Sequence, residues 1–165
     1  MKCMECGAES VSARETYNYK ASGLPVVLQN VEVRRCKECG EYEVVIPKLD
    51  ELHNLIARAV VAKRARLTGA ETRFLRTHLG WSGVDFARHM GVTAETVSRW
   101  ENGHEVMSPP ADRLLRLMIL TREPVSDYSL DDLVDVDAAP KPAKIRLAAS
   151  KAGWKAGTTR ELPAA

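Results

Sequence analysis

The chain has 165 residues, 45% hydrophobic and 28% charged, with a net charge of +2 at pH 7. That length suits one ordinary domain or two small ones, and the apolar fraction is enough for a packed core. No apolar run approaches the roughly 18 residues a membrane span needs, and the first residues, Met1-Lys2-Cys3-Met4-Glu5-Cys6, hold no signal-peptide core, so no membrane partner and a cytoplasmic protein are expected.

Charge is uneven along the chain: −2 over residues 1–57, +4 over 58–121, −5 over 122–137 and +5 over 138–165. A basic middle beside a nearly neutral start places any nucleic-acid contact beyond residue 57.

All four cysteines fall in two CxxC pairs, Cys3 with Cys6 and Cys36 with Cys39, each followed at once by glycine, Gly7 and Gly40. Zn²⁺ favours four thiolates in a tetrahedron, and each CxxC turn supplies two from one side. The spacing predicts one structural Zn²⁺ per chain. Two disulfides or a redox CxxC are the alternatives; the lack of a secretion signal counts against the first and the doubling against the second. Four thiolates leave no open position for water or substrate. With no phosphate loop or nucleophile–base pattern either, an enzyme is not expected. His53, His78, His89 and His104 read as surface or cap residues.

Strands are expected at residues 16–20, 26–33 and 42–46, with a turn at Ser22-Gly23-Leu24-Pro25. So small a sheet cannot bury enough surface alone, which makes the metal part of the folding of residues 1–46. Pro47 then opens a connecting helix over residues 47–66, with Leu49, Leu52, Leu55, Ile56, Ala59 and Val60 at helical spacing.

From residue 67 to 125 the pattern is that of an all-α bundle of four to five helices. Thr68 and Glu71 form a capping box ahead of Phe74, Leu75 and Leu79, which predicts a helix over 69–79. Ser82 caps a second helix with Val84, Phe86, Ala87 and Met90 inward, and Gly91 stops it. Thr93 caps a third, with Val97 and Trp100 inward and Ala94, Glu95, Thr96, Ser98 and Arg99 outward, ending at Asn102-Gly103. After Ser108-Pro109-Pro110 a fourth carries Leu114, Leu115, Leu117, Met118 and Leu120. Trp81 and Trp100 read as core.

Two short helices joined by a tight turn make a helix-turn-helix unit, whose second helix enters the major groove of double-stranded DNA. Arg99 has paired donors for guanine O6 and N7, and Glu95 can accept from a cytosine N4 amino group. Ala94 and Thr96 flank them as base-reading positions. Thr93, Ser98, Asn102 and the helix start at Gly83 suit the phosphate backbone.

Ala87, Gly91, Val97 and Trp100-Glu101-Asn102-Gly103 resemble phage-repressor (Xre-type) helix-turn-helix domains over about residues 67–121. The resemblance implies a salt bridge between Arg76 and Glu101. It also implies a glutamine at the start of the second helix, where this chain has Gly83. The doubled CxxCG, short β segment, connecting helix and repressor-type domain together resemble the MqsA-type antitoxins and their YgiT-type zinc finger relatives, over about residues 1–121. That resemblance implies a structural zinc module that docks an RNA-cleaving toxin protein, and a helical domain that forms a homodimer on a palindromic operator. Its base-reading arginine maps to Arg99, while its base-reading asparagine is Glu95 here.

The expected fold is therefore α+β: a small N-terminal β-rich zinc-binding module, a helix-turn-helix bundle, and a disordered C-terminal tail over 126–165, acidic to residue 137 and then rich in Ala, Pro and Lys over 138–144. The expected function is a DNA-binding transcriptional repressor, as an antitoxin that represses its own operon or, alternatively, as a stand-alone zinc-finger regulator.

Overall fold

The computed structural model describes residues 2–121 and 137–156. Strands β1 (Ser10–Tyr19) and β2 (Val26–Cys36) form an antiparallel hairpin, and β3 (Tyr42–Val45) runs back along residues 32–35 of β2. Five helices follow: α1 (Leu49–Ala62), α2 (Gly69–His78), α3 (Gly83–Met90), α4 (Ala94–Glu101) and α5 (Pro109–Leu120). The short strand β4 (Ala65–Arg66), between α1 and α2, pairs with β5 (Asp137–Pro140). Last come β6 (Ile145–Ser150), parallel to residues 26–29 of β2, and β7 (Gly153–Ala156), antiparallel to β6.

Strand β2 organises the sheet. Val26, Leu28, Val31 and Val33 are all buried, although the three-residue step from Leu28 to Val31 would turn a regular strand over. Asn30 absorbs the extra residue: its φ is 59°, the pairing with β1 slips between Glu15 and Tyr17, and its Nδ2 donates to the Ala149 carbonyl at 2.9 Å. Asparagine tolerates this left-handed backbone better than most residues. One edge of β2 is taken by β1, and the other is divided between β6 and β3.

The tail expected to be disordered thus contributes strands. Ile145, Leu147 and Ala149 alternate into the core, and Trp154 is buried with its indole N–H donating to the Pro47 carbonyl at 2.7 Å. The Ala-, Pro- and Lys-rich run before residue 145 hides this two-residue period in a composition scan. Residues 122–136 and 157–165 of the expected bundle and tail lie outside the described residues.

Helix α1 stops at Ala62 rather than near residue 66. The guanidinium of Arg116, 0% exposed, draws the chain away by donating to the carbonyls of Val61, Lys63 and Ala65 at 2.7, 2.6 and 2.7 Å. Arg116 also bonds Asp112 at 2.6 Å, whose other oxygen accepts from the Leu67 N–H at 2.8 Å. On α5 these two charged residues are therefore inside, while Leu114 and Leu117 are exposed. Val84 on α3, expected inward, is 70% exposed. Glu71 is buried between Lys63, the Thr68 cap and the Ala143 N–H. A single apolar core runs from Leu28 through Ile56 and Leu75 to Leu115 and Trp154, so the sheet and the bundle share one interior. Among the described residues no helix is long and apolar enough to cross a membrane.

Candidate metal centre and nucleic-acid interface

The two CxxCG turns are built alike. In the first, the Gly7 N–H donates to the Cys3 carbonyl at 3.0 Å and Cys3 N–H to Ala8 at 2.8 Å; in the second, Gly40 N–H donates to Cys36 at 3.2 Å and Cys36 N–H to Glu41 at 2.8 Å. Gly7 and Gly40 both hold φ at 74°, a value that suits glycine. The hairpin of β1 and β2 brings the turns face to face. All four sulfurs lie within 4.8 Å of one another, with Cys3 to Cys39 at 3.7 Å and Cys6 to Cys36 at 3.4 Å. A tetrahedron of Zn–S bonds of about 2.3 Å has edges of about 3.8 Å, whereas a disulfide needs about 2.05 Å. The four cysteines are free thiols placed to hold a metal ion. The Cys39 and Glu38 backbone N–H groups at the second turn pull the Cys36 thiol down to about 7, while the neighbouring Cys6 and Cys36 sulfurs push the Cys39 thiol up to about 12 against the bond from its own turn at Glu41.

The other candidate surface lies on α3 and α4. Ser82 caps α3 in a reciprocal box with Asp85, whose carboxyl is held below its usual range by the Ser82 hydroxyl and N–H. Gly91 ends α3 with φ 66°: its N–H donates to Arg88 at 3.3 Å and that of Val92 to Ala87 at 3.0 Å, which turns the chain sharply into α4. Thr93 then caps α4 through the Thr96 N–H at 3.2 Å. Val97 and Trp100 are buried on the inner face of α4. Thr93, Ala94, Glu95, Ser98, Arg99 and Asn102 are exposed, and Thr96 is half-buried.

Residues 73–127 match the helix-turn-helix family, and the structure describes 73–121 of them. This part of the chain is a helix-turn-helix domain. The match supports DNA as the partner and transcription regulation as the role. No curated protein matches the chain.

Within the helix-turn-helix domain, α4 is anchored to α2 by charge. Arg76 donates to Glu101 through Nε at 2.5 Å and Nη2 at 3.2 Å, and through Nη1 to the Trp81 carbonyl at 2.7 Å. Arg73, which no motif singles out, joins the same carboxylate at 3.1 Å and reaches Asn102 Oδ1 at 3.1 Å. Its place one turn before Arg76 was the available signal. Gly69 lets the start of α2 meet the end of α4: a Cβ there would lie 2.5 Å from the Glu101 carbonyl oxygen.

The outward residues of α4 are partly tied to one another. Asn102 Nδ2 donates to the Ser98 carbonyl and hydroxyl at 2.9 and 3.2 Å, the Thr93 and Thr96 hydroxyls are 3.0 Å apart, and Arg99 Nη2 donates to Glu95 Oε1 at 2.6 Å. Gly83 is half-buried, with no atom within 4 Å of where a Cβ would stand, so nothing around it forces glycine. Trp81 is half-buried rather than fully core, and His89 stacks on it with centroids 4.0 Å apart. His53 is also half-buried and bonds the Tyr19 hydroxyl at 2.8 Å.

Proposed function

We propose that the protein is a sequence-specific DNA-binding transcriptional repressor that reads the major groove with α4. The observation that carries this reading is the division of α4: Val97 and Trp100 lock its inner face, while Ala94, Glu95, Ser98 and Arg99 stand exposed along the other. Arg99 supplies the base contact with the widest reach, two parallel donors for guanine O6 and N7. Thr93, Ser98 and Asn102 meet the phosphates on either side. Two copies in a symmetric dimer place their α4 helices on half-sites about one DNA turn apart, as a palindromic operator requires.

Cys3, Cys6, Cys36 and Cys39 would hold one Zn²⁺, which supplies cross-linking of the two turns and no chemistry on a substrate. The order of parts, a doubled CxxCG module ahead of a helix-turn-helix domain, supports the antitoxin role that the MqsA-type resemblance implies. In that role the zinc module receives the toxin and the domain represses the shared operon. Selection from a randomised duplex pool, with the native molar mass and metal content of the purified protein, tests the reading. One palindromic motif, a dimer and one zinc per chain are expected. A chain that enriches no sequence overturns it. Purification beside the product of the neighbouring gene separates an antitoxin, which carries that product along, from a stand-alone regulator, which does not.

A further inference from the structure

We propose that Glu95 is a positioning residue for Arg99, holding its guanidinium ready for a base edge while cancelling its attraction for phosphate; this rests on the assignment of α4 as the DNA-reading helix. The two side chains are one turn apart on the exposed face, with Arg99 Nη2 donating to Glu95 Oε1 at 2.6 Å. Glutamate on the N-terminal side at this spacing is the stronger of the two orders, and a carboxylate in the first turn is further favoured by the helix dipole.

The hydrogen bond takes one Nη2 hydrogen. Whichever one it takes, the guanidinium keeps an edge with two parallel N–H groups, either Nε with Nη2 or Nη1 with Nη2. Such an edge is what guanine O6 and N7 accept. The pair leaves the reading edge intact and biases the side chain toward it before DNA arrives.

With the Arg99 and Glu95 side chains 55% and 74% exposed, the pair contributes little to folding. Its consequence is electrostatic. An unpaired arginine beside DNA gains from any phosphate through counterion release, a gain that carries no sequence information. Arg99 is the one cation within α4, and Glu95 offsets it there. Affinity for random DNA falls, while the guanine contact survives, so discrimination rises. The position taken by asparagine in the resembled antitoxins thus holds a partner for Arg99 rather than an independent reader.

The test compares the full chain with Glu95→Gln, Arg99→Ala and the double variant, by pool selection and by affinity for the selected and a random duplex over a range of salt. Glu95→Gln is expected to select the same motif with weaker preference at the pair read by Arg99. It should bind random DNA on the order of fivefold tighter, with a salt slope steeper by about 1. In the Arg99→Ala background Glu95→Gln should leave discrimination unchanged. If it instead alters a different base pair, additively with Arg99→Ala, Glu95 reads its own base and the positioning role is wrong while the DNA reading stands. No change in any of these quantities also overturns the role. Failure of the unaltered chain to enrich a motif defeats the DNA reading itself.

Discussion

The cysteine turns and the helical bundle are held together by different means. Between Lys2 and Glu9, and again between Lys37 and Glu43, no side chain is buried, and Met4 stands 95% exposed. In the bundle Leu75, Phe86 and Leu115 are fully covered, and even Asp112 and Arg116 lie inside with their hydrogen bonds satisfied by one another and by backbone. The turns therefore depend on what four sulfurs bind, while the bundle spreads its stability over packing, caps and ion pairs. Because β2 packs into the shared core with α1, the dependence on metal is confined to the turns and the strand ends beside them.

Removing the metal should give the largest effect, since structural zinc sites contribute about 10–16 kcal/mol of apparent binding free energy to the folding they organise. Chelation, or Cys36→Ser, is expected to abolish binding of one zinc and to collapse the amide dispersion of residues 2–9 and 36–41, with α2 to α5 unchanged. Loss of helical signals as well would show that the two regions do not differ in this way. Arg116→Ala is the corresponding break in the bundle: it leaves the buried Asp112 with only Arg66 Nε at 3.5 Å and the Leu67 N–H, and takes the donor from the carbonyls of Val61, Lys63 and Ala65, at a cost of about 3–5 kcal/mol. Urea unfolding followed by helical circular dichroism measures it, and a loss under about 1 kcal/mol would make the buried network a bystander.

Gly69→Ala is next. Its Cβ would stand 2.5 and 2.6 Å from the Glu101 and Trp100 carbonyl oxygens, which belong to backbone and cannot swing away. Overpacking of this kind costs about 1–3 kcal/mol, whereas Gly83→Ala, with open space around it, should be tolerated. Equal melting of the two variants would contradict the close contact between α2 and α4. The smallest effect belongs to Asp85. The Ser82 hydroxyl and N–H hold its carboxyl below its ordinary 3.8, so its contribution to the α3 cap is present above that value and fades as pH falls through the lowered one. A carbon-detected titration in which Asp85 ionises at or above 3.8 would remove the box from solution.

The doubled CxxCG gave the sulfur cluster because its spacing is the chemistry. Thr68 with Glu71, Ser82 and Thr93 gave the helix starts because a cap is a local hydrogen bond. What escaped depended on distant partners. Arg116 looks like a surface cation until the carbonyls of Val61, Lys63 and Ala65 are brought beside it, and its inward turn is what leaves Leu114 and Leu117 outside. Spacing alone puts Val84 inward, but it lies two residues before Phe86 and three before Ala87, off the face that the bundle covers. Strand β6 needs β2 to pair with and Trp154 needs the Pro47 carbonyl, neither of which a composition scan contains.

Whether α4 reads DNA sequence is tested most directly by the affinities of the unaltered chain and Arg99→Ala for a selected duplex and a random one at a single salt concentration. Loss of about 1–3 kcal/mol on the selected duplex, with little on the random one, is the expected result. An equal loss on both would reduce Arg99 to a phosphate contact, and no loss on either would take α4 off the DNA.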